Sequence, residues 1–205
     1  MKRMILFTFL ALVAGATAVA AQSVAKSYSY FSIGGRTLDE IDKELSARGP
    51  KVGGAGKRHP GATRMRFSSN VTYASSNRGC TIDKAVVSVD ATIILPRWGQ
   101  RKRADGDTRL IWDTLSADIK RHEESHVQIA RRHARELEQA LRGLGRRSDC
   151  EALKRDAAAL SARVLAAHDR AQERFDRIEG INFENRMMRL LSYRLQREEA
   201  AKRRN

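Results

Sequence analysis

The chain has 205 residues, with 39 Lys and Arg against 24 Asp and Glu, for a formal charge of +15. That length suits one domain with a real core rather than two, and a count of two cysteines excludes a fold built on disulfides. So basic a surface attracts polyanions, although much of the charge also fits the solvated face of long helices rich in Arg and Glu.

Lys2 and Arg3 form a basic start, Ile5 to Val19 is apolar and small, and Ala18-Val19-Ala20-Ala21 offers a signal-peptidase site before Gln22. The expectation is export. Residues 1–21 form a signal peptide, residues 22–205 form a single domain, and the mature protein is periplasmic or secreted; a retained N-terminal anchor is the alternative. Nothing later in the chain is apolar for long enough to span a bilayer. Export argues against nucleic acid as the polyanion and leaves anionic lipid, polysaccharide and acidic protein segments.

The alternating run Ser27 to Ile33 predicts a strand, ended by Gly34-Gly35. Thr37-Leu38-Asp39-Glu40 is a capping box that opens a short helix, with Ile41 and Leu45 as its apolar face and Gly49-Pro50 as its close. Lys51 to Gly61, with four glycines among basic residues, predicts a loop; as a phosphate cradle it is weak, because no strand precedes it and no helix follows. Two longer alternating runs follow. Ala62 to Ala74 carries Met65, Phe67, Val71 and Tyr73, and Cys80 to Leu95 carries Ile82, Val87, Val89, Ala91, Ile93 and Leu95. Ser75 to Gly79 between them is rich in turn formers, which predicts an antiparallel hairpin. Pro96 is expected to stop the second strand. Trp98 is expected in the core rather than in the wall of a site, and Arg97 to Asp107 as a charged loop.

From Thr108 the period becomes helical. Ile111, Leu115, Ile119, His122, His126, Ile129, His133, Leu137 and Leu141 share one face at steps of three and four. Within that stripe the segment His122-Glu123-Glu124-Ser125-His126 reads His-Glu-x-x-His. Positions i and i+4 lie one above the other on a helix, so His122 and His126 can aim two imidazoles at one zinc ion. Glu123, offset by one residue, falls where a general base for a metal-bound water belongs. A single histidine on an apolar stripe is usually a satisfied core residue, but burying two with an intervening Glu needs compensating partners, and a metal ion is one such compensation. His133 lies two turns beyond, roughly 10 Å along the axis, too far for the same shell.

Gly143 and Gly145 break this helix, and Ser148 or Asp149 can cap another starting near Cys150. Leu153, Ala157, Leu160, Val164, Ala171, Phe175 and Ile178 form its apolar stripe, so two long helices make an antiparallel hairpin. Counting the same distance on either side of the turn sets about Ala167 to Ala171 opposite the histidine pair, and helix tilt can extend this toward Phe175 and Asp176. That window offers His168, Asp169, Glu173 and Asp176 as a third ligand, where a catalytic zinc needs three protein groups. In an exported protein Cys80 and Cys150 are expected to pair as a structural disulfide. Asn182 to Asn205 predicts a basic amphipathic helix, which either packs on its own domain or meets a membrane surface or nucleic acid.

With these features the chain resembles DUF922, a bacterial family of predicted secreted zinc-dependent proteases. The resemblance rests on the early strand and the Thr37 to Glu40 helix, and on Cys80 to Leu95 running into Leu95-Pro96-Arg97-Trp98. It rests also on Trp112 ahead of His122-Glu123-x-x-His126, on Cys150, and on Phe175-Asp176. After that Asp the family runs on to a Thr and then His-Gly, where this chain has Glu179, Ile181 and Asn182. The resemblance implies an α+β, zincin-like architecture, with a small antiparallel sheet and one short helix packed on a long helical hairpin. Residues 22–104 would be mainly β and residues 105–205 helical.

The implied function is a zinc metallopeptidase acting on peptides or proteins of the cell envelope. His122, His126 and Asp176 would hold Zn2+ and Glu123 would activate the water, with His168, Asp169, Glu173 and Glu179 as alternatives to Asp176. Along Ala85 to Leu95, the strand edge would hold an extended substrate. The alternative is a non-catalytic basic module that binds anionic envelope surfaces and keeps a structural or vestigial metal site.

Overall fold

Alternating and helical periods translate into three strands and four helices in a computed structural model that describes residues 24–52, 56 and 58–204. The segment read as a signal peptide lies outside the described residues. In chain order the elements are β1 (Val24–Ile33), α1 (Leu38–Arg48), β2 (Ala62–Ser76), β3 (Gly79–Trp98), α2 (Gly106–Arg142), α3 (Cys150–Ile181) and α4 (Phe183–Lys202). A single 3-10 turn at Arg101–Arg103 interrupts the segment read as a charged loop.

β2 and β3 form the expected antiparallel hairpin, in register from Ala62 opposite Ile94 to Ser76 opposite Gly79. β1 does not continue that pattern. It pairs parallel with β3, from Val24 opposite Val89 to Ile33 opposite Trp98, so the order is β1-β3-β2 and the sheet is mixed rather than antiparallel. Alternation identifies a strand but carries no direction, and the direction of β1 is decided by its long-range partner. β3 is therefore the central strand, with both edges paired around residues 89–94. The expectation that its edge would receive a substrate is corrected by this pairing; the strand beside the histidines with an open edge is β2. Pro96 does not end β3 either. β2 reaches only to Ile94, so one edge of β3 is unpaired at Pro96 and a residue without an N–H is tolerated.

One face of the sheet is covered by helices. Ala85, Val87, Val89, Ala91, Ile93 and Leu95, at alternate positions of β3, are all buried. Ala130, Ala134, Leu137 and Leu141 of α2 and Ala157, Leu160 and Val164 of α3 close over the first part of this row. Farther along, Ile119 and Val127 of α2 cover Ala91, Ile93 and Leu95. The turns of α2 that carry the histidines thus rest on the central strand of the sheet. Trp98 packs on Trp112 with ring centroids 5.5 Å apart, and its indole N–H donates to the Gly35 carbonyl at 2.9 Å. It belongs to a core with Ile33, Ile41 and Leu45, as expected.

The helix ends follow their caps. Thr37 and Glu40 complete the capping box of α1, Asp105 accepts from the Thr108 N–H at the start of α2, and Asp149 accepts from the Ala152 N–H at the start of α3. Cys80 and Cys150 are bonded, with Cα atoms 5.0 Å apart, tying the hairpin to the start of α3. Gly79 has φ +112°, and a Cβ there would meet the Arg147 carbonyl oxygen at 2.1 Å, so this turn requires glycine. Asn182 ends α3 and opens α4, which leans on α2, half-buries Met187, Leu190 and Leu191 and leaves Met188, Tyr193 and Leu195 exposed. No helix among the described residues is long and apolar enough to cross a membrane.

Candidate metal centre

Two residues of α2, His122 and His126, and one of α3, Asp176, meet at the mouth of the helical pair. His122 and His126, one turn apart, place their Nε2 atoms 3.1 Å from each other. Asp176 of α3 reaches across so that Oδ1 lies 3.3 Å from His122 Nε2 and 3.0 Å from His126 Nε2. A tetrahedral zinc bound at 2.0–2.1 Å requires ligand-to-ligand edges of about 3.3 Å, close to all three. Phe175 backs the pair, stacked on His122 at 5.0 Å and edge-on to His126 at 5.2 Å, which limits rotation of both rings.

Protons define the electrostatics of this triangle. His126 Nδ1 donates to Gln172 Oε1 at 2.6 Å, so in the neutral ring Nε2 carries the lone pair. His122 Nδ1 faces Glu179 Oε2 at 3.6 Å, which turns its Nε2 inward as well. Two lone pairs and a carboxylate oxygen converging on one point need a positive charge between them, either a proton or a metal ion. The protonation preferences of His126 and Asp176 follow from that demand. Burial opposes protonation of His126, but Asp176 and Gln172 outweigh it and hold the imidazole above its ordinary value. Burial also opposes ionisation of Asp176, yet the two histidines hold it far below the usual carboxylate range. Donor type and spacing together fit zinc.

Glu123, offset by one residue from His122, lines the same cavity as the triangle and is 5% exposed. The Thr63 hydroxyl of β2 donates to its Oε2 at 2.8 Å and sits 3.0 Å from its main-chain carbonyl. Burial raises its pKa, partly opposed by Thr63 and by the two histidines. A carboxyl poised upward in this way is a better proton acceptor near neutrality than an exposed one. Gly61 makes this position available. A Cβ on Gly61 would lie 2.8 Å from Ile119 Cγ2 and 2.9 Å from Glu123 Oε1.

A cavity of about 460 Å³ opens onto these groups. Val52, Pro60, Ala62, Met65, Ile119 and Phe183 supply its apolar wall. Deeper in, Asp118 of α2, 4% exposed, accepts from Arg121 at 2.9 Å and from Arg186 of α4 at 3.0 and 3.1 Å. Glu179 bonds to the same two arginines. In a chain of formal charge +15, four acids, Asp118, Glu123, Asp176 and Glu179, line one cavity with Arg186 as its only arginine or lysine among the described residues. Arg121 and Arg186 compensate Asp118 and Glu179, which leaves the carboxyls of Glu123 and Asp176 beside the two histidines, a donor set that suits a divalent cation.

Residues 28–184 match a bacterial family described as a protein of unknown function, DUF922. The chain belongs to this family. No curated protein and no solved structure matches it. The DUF922 segment contains both histidines, Glu123, Thr63 and Asp176, and ends two residues before Arg186.

Of the four residues of the sequence window, only Asp176 joins the histidines. His168 is buried one turn and more away, beyond Gln172, where it donates to Asp169 and packs edge-on to Phe67. Asp169 is thereby occupied with His168, and Glu173 is exposed on another face of α3. Glu179 approaches the outer nitrogen of His122 rather than the shared point, so it braces a ring. His133 lies off the centre, near Glu136 and edge-on to His168, consistent with the distance counted along the helix. Sequence reasoning missed Gln172, Thr63, Gly61 and Arg186. Gln172 had a signal, since His168, Gln172 and Asp176 recur every four residues on one face of α3. The other three come from distant elements and had none.

Proposed function

We propose that this protein is an exported zinc-dependent metallopeptidase with a zincin-like arrangement, acting on peptides or proteins of the cell envelope. The observation that carries the reading is the convergence of His122 Nε2, His126 Nε2 and Asp176 Oδ1 within 3.0–3.3 Å of one another beside buried Glu123. His122, His126 and Asp176 would hold the metal, which when bound supplies Lewis-acid activation of water and of a peptide carbonyl.

The remaining chemistry belongs to the chain. Glu123 takes the proton of the attacking water and delivers it to the leaving amine, and Thr63 keeps its carboxylate in one rotamer during both transfers. Both Phe175 and Gln172 prevent the imidazoles from swinging away. An extended substrate would add to the open edge of β2, whose residues Ala62 and Thr63 line the cavity. Val52, Pro60, Met65 and Phe183 favour an uncharged, apolar side chain next to the cleaved bond. Export is supported by the Cys80–Cys150 disulfide, which persists in an oxidising compartment.

The test is zinc content and peptide hydrolysis of the mature protein. Wild type should take up close to one zinc and cleave unstructured peptides, and Glu123→Gln should retain the zinc while losing at least about 100-fold in kcat. Wild type that takes up no metal would sink the proposal. Zinc uptake without any hydrolysis, together with salt-sensitive binding to anionic vesicles that His122→Ala leaves unchanged, would favour the non-catalytic envelope module.

A further inference from the structure

We infer that Gln172, His168 and Asp169 are positioning residues, a hydrogen-bonded chain that holds the His126 ring and its tautomer ready for metal. This rests on the metal reading of His122, His126 and Asp176. The chain starts at Gln172, which lines the cavity, and runs on to His168 and Asp169, which do not. His126 Nδ1 meets Gln172 Oε1 at 2.6 Å, Gln172 Nε2 meets His168 Nε2 at 2.7 Å, and His168 Nδ1 meets Asp169 Oδ1 at 2.9 Å.

One set of proton positions satisfies every contact. The Gln172 Nε2 group also donates to the main-chain carbonyl of His126 at 3.2 Å. Turning the amide over would set its oxygen against that carbonyl, so the amide orientation is locked by the backbone of α2. Oε1 can then only accept, and His126 Nδ1 must carry a hydrogen. Nε2 of Gln172 donates to His168, so His168 Nε2 carries a lone pair and its hydrogen is on Nδ1, where Asp169 accepts it. The outcome at the inner end is a lone pair on His126 Nε2, the state a metal requires.

Burial argues that the chain is more than incidental. His168 is 6% exposed and packs against Phe67 at 4.9 Å and His133 at 5.7 Å, where an aliphatic residue would fill the space without needing polar partners. Its place four residues before Gln172 and eight before Asp176 sets all three on the α3 face that meets α2.

Zinc affinity tests the chain directly, by competition with a chromophoric chelator on the mature protein. Gln172→Met keeps the unbranched shape and removes both hydrogen-bonding groups, and should weaken zinc about 10- to 100-fold. His168→Phe should weaken it by several-fold, about the lower end of that range. The double variant should bind no more weakly than Gln172→Met alone, because the influence of His168 passes through Gln172. In the zinc-loaded wild type the His126 Nδ1 proton should give a downfield NMR signal protected from exchange, and Gln172→Met should lose it. Zinc affinities of Gln172→Met and His168→Phe within twofold of wild type would overturn the inference. So would losses that multiply in the double variant, or a protected signal that survives Gln172→Met. Wild type without zinc uptake would instead overturn the metal reading on which the inference rests, and is recognised before any variant is made.

Discussion

Gly61→Ala tests the approach of β2 to the site helix with a single methyl group. The added Cβ would sit 2.8 Å from Ile119 Cγ2, 2.9 Å from Glu123 Oε1 and 3.1 Å from Glu123 Cγ. Non-bonded carbon atoms ordinarily lie about 3.5–4.0 Å apart, so the contact with Ile119 is short by roughly 0.7 Å. Neither neighbour can simply turn away. Ile119 is branched and 6% exposed, and Glu123 is 5% exposed and tied to Thr63. The φ of Gly61 is not in the left-handed region, so the cost is contact rather than backbone strain. Overpacking of this kind costs about 1–3 kcal/mol. In a domain of this size, at about 2–4 °C per kcal/mol, Tm should fall by about 2–12 °C.

Activity should fall further than stability suggests. Displacing the Glu123 carboxylate by about 1 Å costs on the order of 100-fold in rate. The added Cβ would meet Ile119 and Glu123 and none of the zinc ligands, so zinc affinity should stay within about threefold of wild type, an allowance far below the 10- to 100-fold cost of losing a ligand's partner. Thermal denaturation, chelator competition and hydrolysis of an unstructured peptide give the three numbers. Unchanged Tm and unchanged kcat/KM would refute the close approach and the position assigned to Glu123.

The metal-free protein should be most stable between about pH 4 and 6.5. His126 is held above its ordinary value, so its contribution is full below about pH 6.5 and is lost as pH rises through the folded value. Asp176 is held below its ordinary value, so its contribution is full above about pH 4 and is lost as pH falls through the folded value. Glu123, raised by burial, acts in the same direction as His126. Zinc requires neutral imidazole, so loading should move the optimum upward. Melting curves from pH 3.5 to 8.5 check this, and a metal-free Tm that rises steadily from pH 5 to 8 would contradict it. The disulfide closes a separation of 70 residues, for which loop-closure entropy gives about 4 kcal/mol. Cys80→Ser with Cys150→Ser, or reduction of wild type, should therefore lower the urea midpoint at unchanged zinc stoichiometry; a midpoint that does not move would refute that contribution.

Local order was legible because local chemistry produces it. The capping box Thr37 to Glu40, the turn Ser75 to Gly79, the change of period at Thr108 and the cap at Asp149 each depend on contacts within a few residues, and each appears where the residues imply it. The i, i+4 spacing of His122 and His126 is likewise a property of any helix. Pro96 misled because its effect depends on which edge of β3 is paired at that residue, a fact about β2 and β1.

The chain by itself determined an α+β division, a pair of facing histidines with a glutamate beside them, and two cysteines suited to one bridge. Tertiary structure alone decided that β1 runs parallel to β3 and that β3 is paired on both edges over residues 89–94. It also decided that Asp176, rather than His168, Asp169, Glu173 or Glu179, meets the two imidazoles. The reason is geometric. A helix period fixes which residues share a face to within one turn, about 5.4 Å, whereas joining a set of ligand atoms 3.0–3.3 Å apart depends on how α2 and α3 tilt and slide on the sheet. Both helices pack on β3 in one core, through Ala130 and Ala134 of α2 and Ala157 and Leu160 of α3, several residues to many from the ligands that this packing brings into range.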